Sequence, residues 1–164
     1  MLRIPPKKGC TDLDKLSPAV QADLQKAFEE TKALIIDEKG MIGLGRLSQI
    51  DSRLKEIRPD YADQAFGGLT ILLAGDLRQL PPVGDLSIYT QSGGALNQCL
   101  GRVLYRMFDS YSYLLQSQMR QQGDENALFR DQLERLARGT FTQEDWHCWS
   151  ARNFDVMDLS LIHI

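Results

Sequence analysis

Two short apolar runs stand out in the hydropathy pattern. Ala33-Leu34-Ile35-Ile36 ends on Asp37-Glu38, and Leu69-Thr70-Ile71-Leu72-Leu73-Ala74 ends on Gly75-Asp76. Neither run alternates polar with apolar residues, so both predict parallel strands covered on both faces. Elsewhere the period is that of a helix. Ser17-Pro18 is a helix start, followed by Val20, Leu24, Ala27 and Phe28 on one face. Leu47, Ile50, Leu54 and Ile57 predict a second amphipathic helix, stopped by Pro59. Phe66-Gly67-Gly68 turns the chain into the second strand, and Pro81-Pro82 excludes helix after it. Leu96, Leu100, Val103, Leu104 and Met107 predict a third helix, and Tyr111 to Leu115 a short strand. Asp124 is the expected cap of a helix carrying Leu128, Phe129, Leu133 and Leu136, which Gly139 ends. Thr142 with Asp145 predicts a capping box for a last helix through Trp146 and Trp149.

Helices alternating with apolar strands give an α/β fold built on a parallel sheet. Two or three strands are few for an independent doubly wound domain, so the sequence reads as the middle of something larger. Its 164 residues suffice for a real core, and 43% hydrophobic with 25% charged residues is the balance of a soluble globular chain. A net charge of -3 argues against a broadly basic nucleic-acid coat, though not against a local basic groove. Cys10, Cys99 and Cys148 are odd in number and lack metal-ligand spacing, which fits a reduced intracellular protein. No run is long enough to span a membrane, and no secretory signal opens the chain. His147-Cys148 are adjacent, which suits packing beside the tryptophans better than a metal.

The chemistry concentrates at the strand ends, where parallel sheets collect ligands. An Asp at such an end can hold Mg²⁺ beside a nucleotide's phosphates, and an adjacent Glu can orient or deprotonate the attacking water. By itself the Asp37-Glu38 pair reads equally well as a solvated acidic turn. In Gly75-Asp76-Leu77-Arg78-Gln79-Leu80-Pro81-Pro82-Val83, Gly75 permits close backbone approach. Gln79, on a loop stiffened by two prolines, can sense a terminal phosphate by hydrogen bond.

These two strings, in this order and spacing, resemble motifs II and III of the petite-integration-frequency (PIF) family of superfamily-one DNA helicases. Phe66-Gly67-Gly68 and the stretch from Asp51 through Arg58 resemble the family's segment between those motifs. Leu115 to Gln121, with Met119-Arg120-Gln121, resembles motif IV at the start of a second RecA-like domain. The likeness covers residues 4–152. It implies a partial RecA-like P-loop NTPase domain, a parallel sheet with helices on both faces, over residues 1–110. The start of a second such domain would follow over 111–158, with the join near Asp109 to Tyr113. Residues 159–164, Leu-Ser-Leu-Ile-His-Ile, resemble a translated library adapter and are expected to be a non-native tail.

The resemblance further implies ATP as substrate, Mg²⁺ as cofactor, and single-stranded and forked DNA as partners, with no membrane. Oligomeric state is left open. Asp37 would serve Mg²⁺, Glu38 the water, and Gln79 with Gly75 and Asp76 the nucleotide. Arg120, on its own a surface arginine, would act as an arginine finger. The implied work is unwinding in DNA repair, recombination and telomere maintenance, in the nucleus or mitochondrion if the source is eukaryotic. Two departures oppose this. Lys39-Gly40 stand where the family carries an aliphatic residue and Ser, and no Gly-x-x-x-x-Gly-Lys-Ser/Thr loop occurs in these residues. Motifs V and VI are missing too. The rival readings are a non-catalytic scaffold that kept the fold, or a truncated gene model with no activity of its own.

Overall fold

The two apolar runs pair as parallel strands β1 (Ala33–Ile36) and β2 (Thr70–Leu73), in the register Ala33 to Thr70 through Ile36 to Leu73. The computed structural model describes residues 2–4, 13–115, 123 and 126–151. Among the described residues five α-helices accompany the strands: α1 (Pro18–Phe28), α2 (Leu44–Ile57), α3 (Leu96–Arg106), α4 (Ala127–Arg138) and α5 (Gln143–Ser150). They fall into two compact units, divided after Tyr113.

In the first unit the core is built on α2. Leu47, Ile50 and Leu54 pack with Phe66, Leu69 and Leu104, and Leu34, Ile36 and Ile71 of the strands lean on that cluster. The strands therefore alternate: Ile35 and Leu72 are 69% and 56% exposed. This departs from the expectation of runs buried along their whole length, because only two strands pair and every second side chain leaves the α2 side of the sheet.

The expected third helix forms as α3, and its buried face is narrower than its apolar positions. Leu104 and Gly101 of α3 are buried, while Leu96, Leu100, Val103 and Met107 are exposed. A Cβ on Gly101 would overlap the carbonyl oxygen of Leu44, so the two helices meet backbone to backbone. The closest approach selects the smallest residue, not the most apolar stripe. Gly101→Ala must push the helices apart and is expected to cost about 1–3 kcal/mol, read as a lower urea midpoint with an unchanged m-value.

Segment Asp14–Leu16 is fastened to α2 by a buried pair. Arg53, 2% exposed, donates through Nη1 to Glu56 Oε2 and through Nη2 to the carbonyl of Asp14. Glu56 Oε1 accepts from the Leu16 N–H. Ser17 occupies the cap position of α1, but its side chain makes no cap bond.

Phe66 takes up a left-handed backbone (φ 55°), and its N–H donates to Asp51 Oδ1 at 2.6 Å. Gly67 follows with φ 60°, where a Cβ would lie 2.8 Å from the Leu54 carbonyl oxygen. Asp51 on α2 thus fixes the turn that aims β2 at its register.

The strand expected over Tyr111 to Leu115 does not form among the described residues; those side chains are exposed, and the Tyr111 N–H and Ser112 hydroxyl turn back to the Phe108 carbonyl. Aromatic alternation suits a strand only where a neighbouring strand accepts its hydrogen bonds. In the second unit, Asn126 stands at the cap of α4, and Asp124 lies outside the described residues. Gly139 ends α4 at φ 71°, and Thr142 with Asp145 makes the expected capping box of α5. Arg135 binds the Asp145 carboxylate through two nitrogens and, with the Thr142 donors, holds it well below the usual carboxylate range. Trp149 packs edge-on to Phe141 and donates to the buried Gln132 at 2.9 Å. Among the described residues, no helix is long and apolar enough to cross a membrane.

Candidate active site

Both acidic strand ends turn back at once, and the two turns interlock. Asp37 Oδ1 accepts from the Glu38 N–H at 2.8 Å, which orients its carboxylate at the end of β1. Glu38 adopts a left-handed backbone (φ 55°, ψ 47°) before a short 3₁₀ turn at Lys39–Met41. For a residue with a Cβ that conformation costs about 1–3 kcal/mol and persists only where the surroundings enforce it. Here the Lys39 N–H donates to the Ala74 carbonyl at 2.8 Å, and the Ala74 N–H to that of Ile36 at 2.9 Å.

Two glycines let the turns touch. Gly75, at φ 132°, lies beneath Glu38, and a Cβ there would stand 2.7 Å from the Lys39 nitrogen. A Cβ on the buried Gly40 would stand 2.6 Å from the Asp76 carbonyl oxygen. Gly40 is thus adapted to this tight contact, and a Ser at that position would force the two loops apart.

Beyond Gly75, Asp76 is engaged by Arg78. The Arg78 backbone N–H and Nε donate to Asp76 Oδ1 at 2.9 and 3.1 Å, and Nη2 to Oδ2 at 3.2 Å. The Arg78 side-chain bonds, followed by its backbone bond, lower the Asp76 pKa, with the Lys39 charge adding to the effect. The Gln79 N–H closes the turn on the Asp76 carbonyl at 3.3 Å. A cleft of about 570 Å³ opens here, lined by Glu38, Met41, Arg78, Gln79, Leu80 and Pro81.

The fold therefore brings Glu38 and Gln79 to one cleft, with Gly75 and Asp76 in the turn packed against Glu38–Gly40 and Asp37 at the adjoining strand end. Arg120 lies outside the described residues. No cluster of three or more His, Cys, Asp or Glu side chains suited to a metal occurs among the described residues. A single oriented carboxylate such as Asp37 nevertheless suits Mg²⁺, which keeps most of its waters and shares the rest of its shell with phosphates.

Sequence reasoning missed Asp85. Its carboxylate accepts from the backbone N–H groups of Gly45 (3.2 Å), Arg46 (2.9 Å) and Leu86 (2.8 Å), and from Gln98 Nε2 (2.8 Å). Burial alone would raise its pKa; the hydrogen bonds from Gln98, Arg46, Gly45 and Leu86 outweigh that and lower it. The one available signal was Gly43 at the start of α2, a cap position with no side chain to satisfy the helix donors.

A family model described as PIF1-like helicase matches residues 2–146. The chain is 37% identical over 79 residues to the ATP-dependent DNA helicase Pif1 of Psychrobacter sp. (strain PRwf-1), covering 48% of this chain and 12% of that protein. It is 39% identical over 77 residues to the ATP-dependent DNA helicase RRM3 of Saccharomyces cerevisiae, covering 46% and 10%. Among solved structures it resembles Bacteroides Pif1 bound to ssDNA, with a TM-score of 0.57 at 23% identity, over 92% of this chain and 34% of that one. The chain thus spans about a tenth of the length of the curated relatives it matches.

Proposed function

The chain belongs to the PIF1-like helicase family, and on that premise we propose that it supplies one wall of the ATP site of an ATP-dependent DNA helicase. The observation that carries this reading is the interlock of the two strand ends, which sets Glu38 and Gln79 into the same cleft. The first unit would be the C-terminal part of one RecA-like domain and the second the start of another.

In this reading Asp37 holds Mg²⁺, which when bound screens phosphate charge. Glu38 orients the attacking water and takes its proton. Gln79 donates to the terminal phosphate, and Arg78, steered by Asp76, places a cation beside it. Phosphoryl transfer asks for placed charge and placed water more than for covalent chemistry. The complete protein would move along single-stranded and forked DNA and serve repair, recombination and telomere maintenance, in the nucleus or mitochondrion of a eukaryote. Free thiols at Cys99 and Cys148 suit a reducing compartment.

The test is Glu38→Gln in the complete helicase. DNA-stimulated phosphate release should fall by about 10²- to 10⁴-fold, the usual worth of general-base catalysis, with nucleotide affinity kept. An unchanged rate would remove Glu38 from the site. The 164-residue chain alone, given Mg-ATP and single-stranded DNA, is expected to release no phosphate above a blank.

A second reading, a scaffold that kept the fold and lost turnover, is favoured by Lys39-Gly40, which replace the aliphatic residue and Ser of the family's pattern. Reversion Gly40→Ser separates the readings. It should raise turnover from zero in a decayed enzyme and lower it in an active one.

A further inference from the structure

The Gln79 loop is held at its ends and not at its tip. Leu80 and Val83 are 72% and 87% exposed, so no burial of the tip fixes where Gln79 stands. The incoming end is locked by Gly75 and Gly40 against the Glu38 turn. At the outgoing end stands Asp85. Beside it the Leu86 carbonyl accepts from the Leu44 N–H at 2.8 Å, and Ser87 bridges to Gly43.

We infer that Asp85 is the positioning residue of Gln79: it latches the far end of the Gln79 loop to the start of α2, the helix that follows the Glu38 turn. Two of its contacts are α2 N–H groups that Gly43 cannot cap. A third, Gln98, sits in the first turn of α3 and also accepts from the Ala95 N–H at 2.9 Å. The seat is shaped for a carboxylate. A Cβ on Gly43 would overlap the Asp85 side chain, and the Gly45, Arg46 and Leu86 N–H groups and the Gln98 amide all donate to it. A carboxylate only accepts, whereas an amide must turn an NH₂ toward one of those donors. With both ends fixed and Pro81-Pro82 stiffening the span, displacement at the latch reaches Gln79.

The inference rests on the reading that Gln79 meets the terminal phosphate, so its test has two arms. In the 164-residue chain, Asp85→Asn should speed amide hydrogen exchange over residues 77–80 by about tenfold or more, the worth of a lost charged hydrogen bond. The amides of α5 should be unchanged. Unaltered exchange at 77–80 would overturn the latch, whatever the enzyme does. Gln98→Ala removes one bond and leaves the α2 cap, and should give the same pattern at smaller size. If Asp85→Asn unfolds, this variant decides, and no acceleration in it overturns the latch.

In the complete helicase, Asp85→Asn should weaken a non-hydrolysable ATP analogue about tenfold relative to ADP, which lacks the phosphate that Gln79 would meet. In a Gln79→Ala background the same change should add less than about twofold, as for residues acting through one contact. Full additivity, or equal loss of ADP and ATP analogue, would make Asp85 a stability residue only. A wild-type helicase that bound no ATP would overturn the proposed function and leave the exchange arm to judge the latch.

Discussion

Replacing Arg120 with alanine in the complete helicase is expected to lower kcat for DNA-stimulated ATP hydrolysis by about 10³- to 10⁵-fold, or roughly 4–7 kcal/mol. The expectation rests on the string Leu115 to Gln121, which resembles the motif opening the second RecA-like domain. By that resemblance a guanidinium there would meet the terminal phosphate when two domains close on ATP. Its charge then acts on the transition state more than on the bound substrate, so nucleotide affinity should fall far less than turnover. Lysine should rescue poorly, because it lacks the planar fork of donors. Turnover and nucleotide affinity measured on one single-stranded DNA decide the matter. A rate within a few-fold of the parent would return Arg120 to the status of a surface arginine.

The second large effect concerns stability. Arg53→Ala is expected to destabilise the first unit by about 3–5 kcal/mol. The side chain is 2% exposed, its partner Glu56 is only 23% exposed, and the pair holds Asp14–Leu16 against α2. Removing the cation leaves a part-buried carboxylate with, among the described residues, the Leu16 N–H as its remaining donor, and opens a cavity beside α2. Among the described residues Arg53 Nε has no hydrogen-bond partner, so the bonds they supply to the pair are incomplete. The double change Arg53→Met with Glu56→Leu should therefore recover most of the loss, since apolar groups of similar volume often replace buried pairs without cost. Far-UV circular dichroism in urea is the measurement, because Trp146 and Trp149 both lie in α5 and report on the second unit. Loss below about 1 kcal/mol in Arg53→Ala would show that the pair contributes nothing net.

Where the sequence was legible, the rule at work was local. The strand Ala33–Ile36 appears as read, because an apolar run ended by acidic residues needs no distant information. The capping box of Thr142 with Asp145 and the left-handed stop at Gly139 are set within four residues, so they too were readable. The failures share the opposite character. Tyr111 to Leu115 has strand composition, but a strand exists only when another offers it a ladder. The apolar positions of α3 mark a helix but not the face it packs with, which is settled by how closely Leu44 and Gly101 approach.

The sequence alone determined the α/β order, the family, and the pair of strand ends proposed to carry the chemistry, because periodicity, turn residues and motif strings are properties of neighbours along the chain. Only the tertiary structure decided how those ends become a site. The left-handed Glu38 and the Gly40 and Gly75 contacts follow from two turns pressed together at the strand ends. Asp85 shows the reason most plainly: its partners on α2 lie about 40 residues away in sequence. A hydrogen bond across that separation leaves no periodic trace, and it forms only after the chain has folded around it.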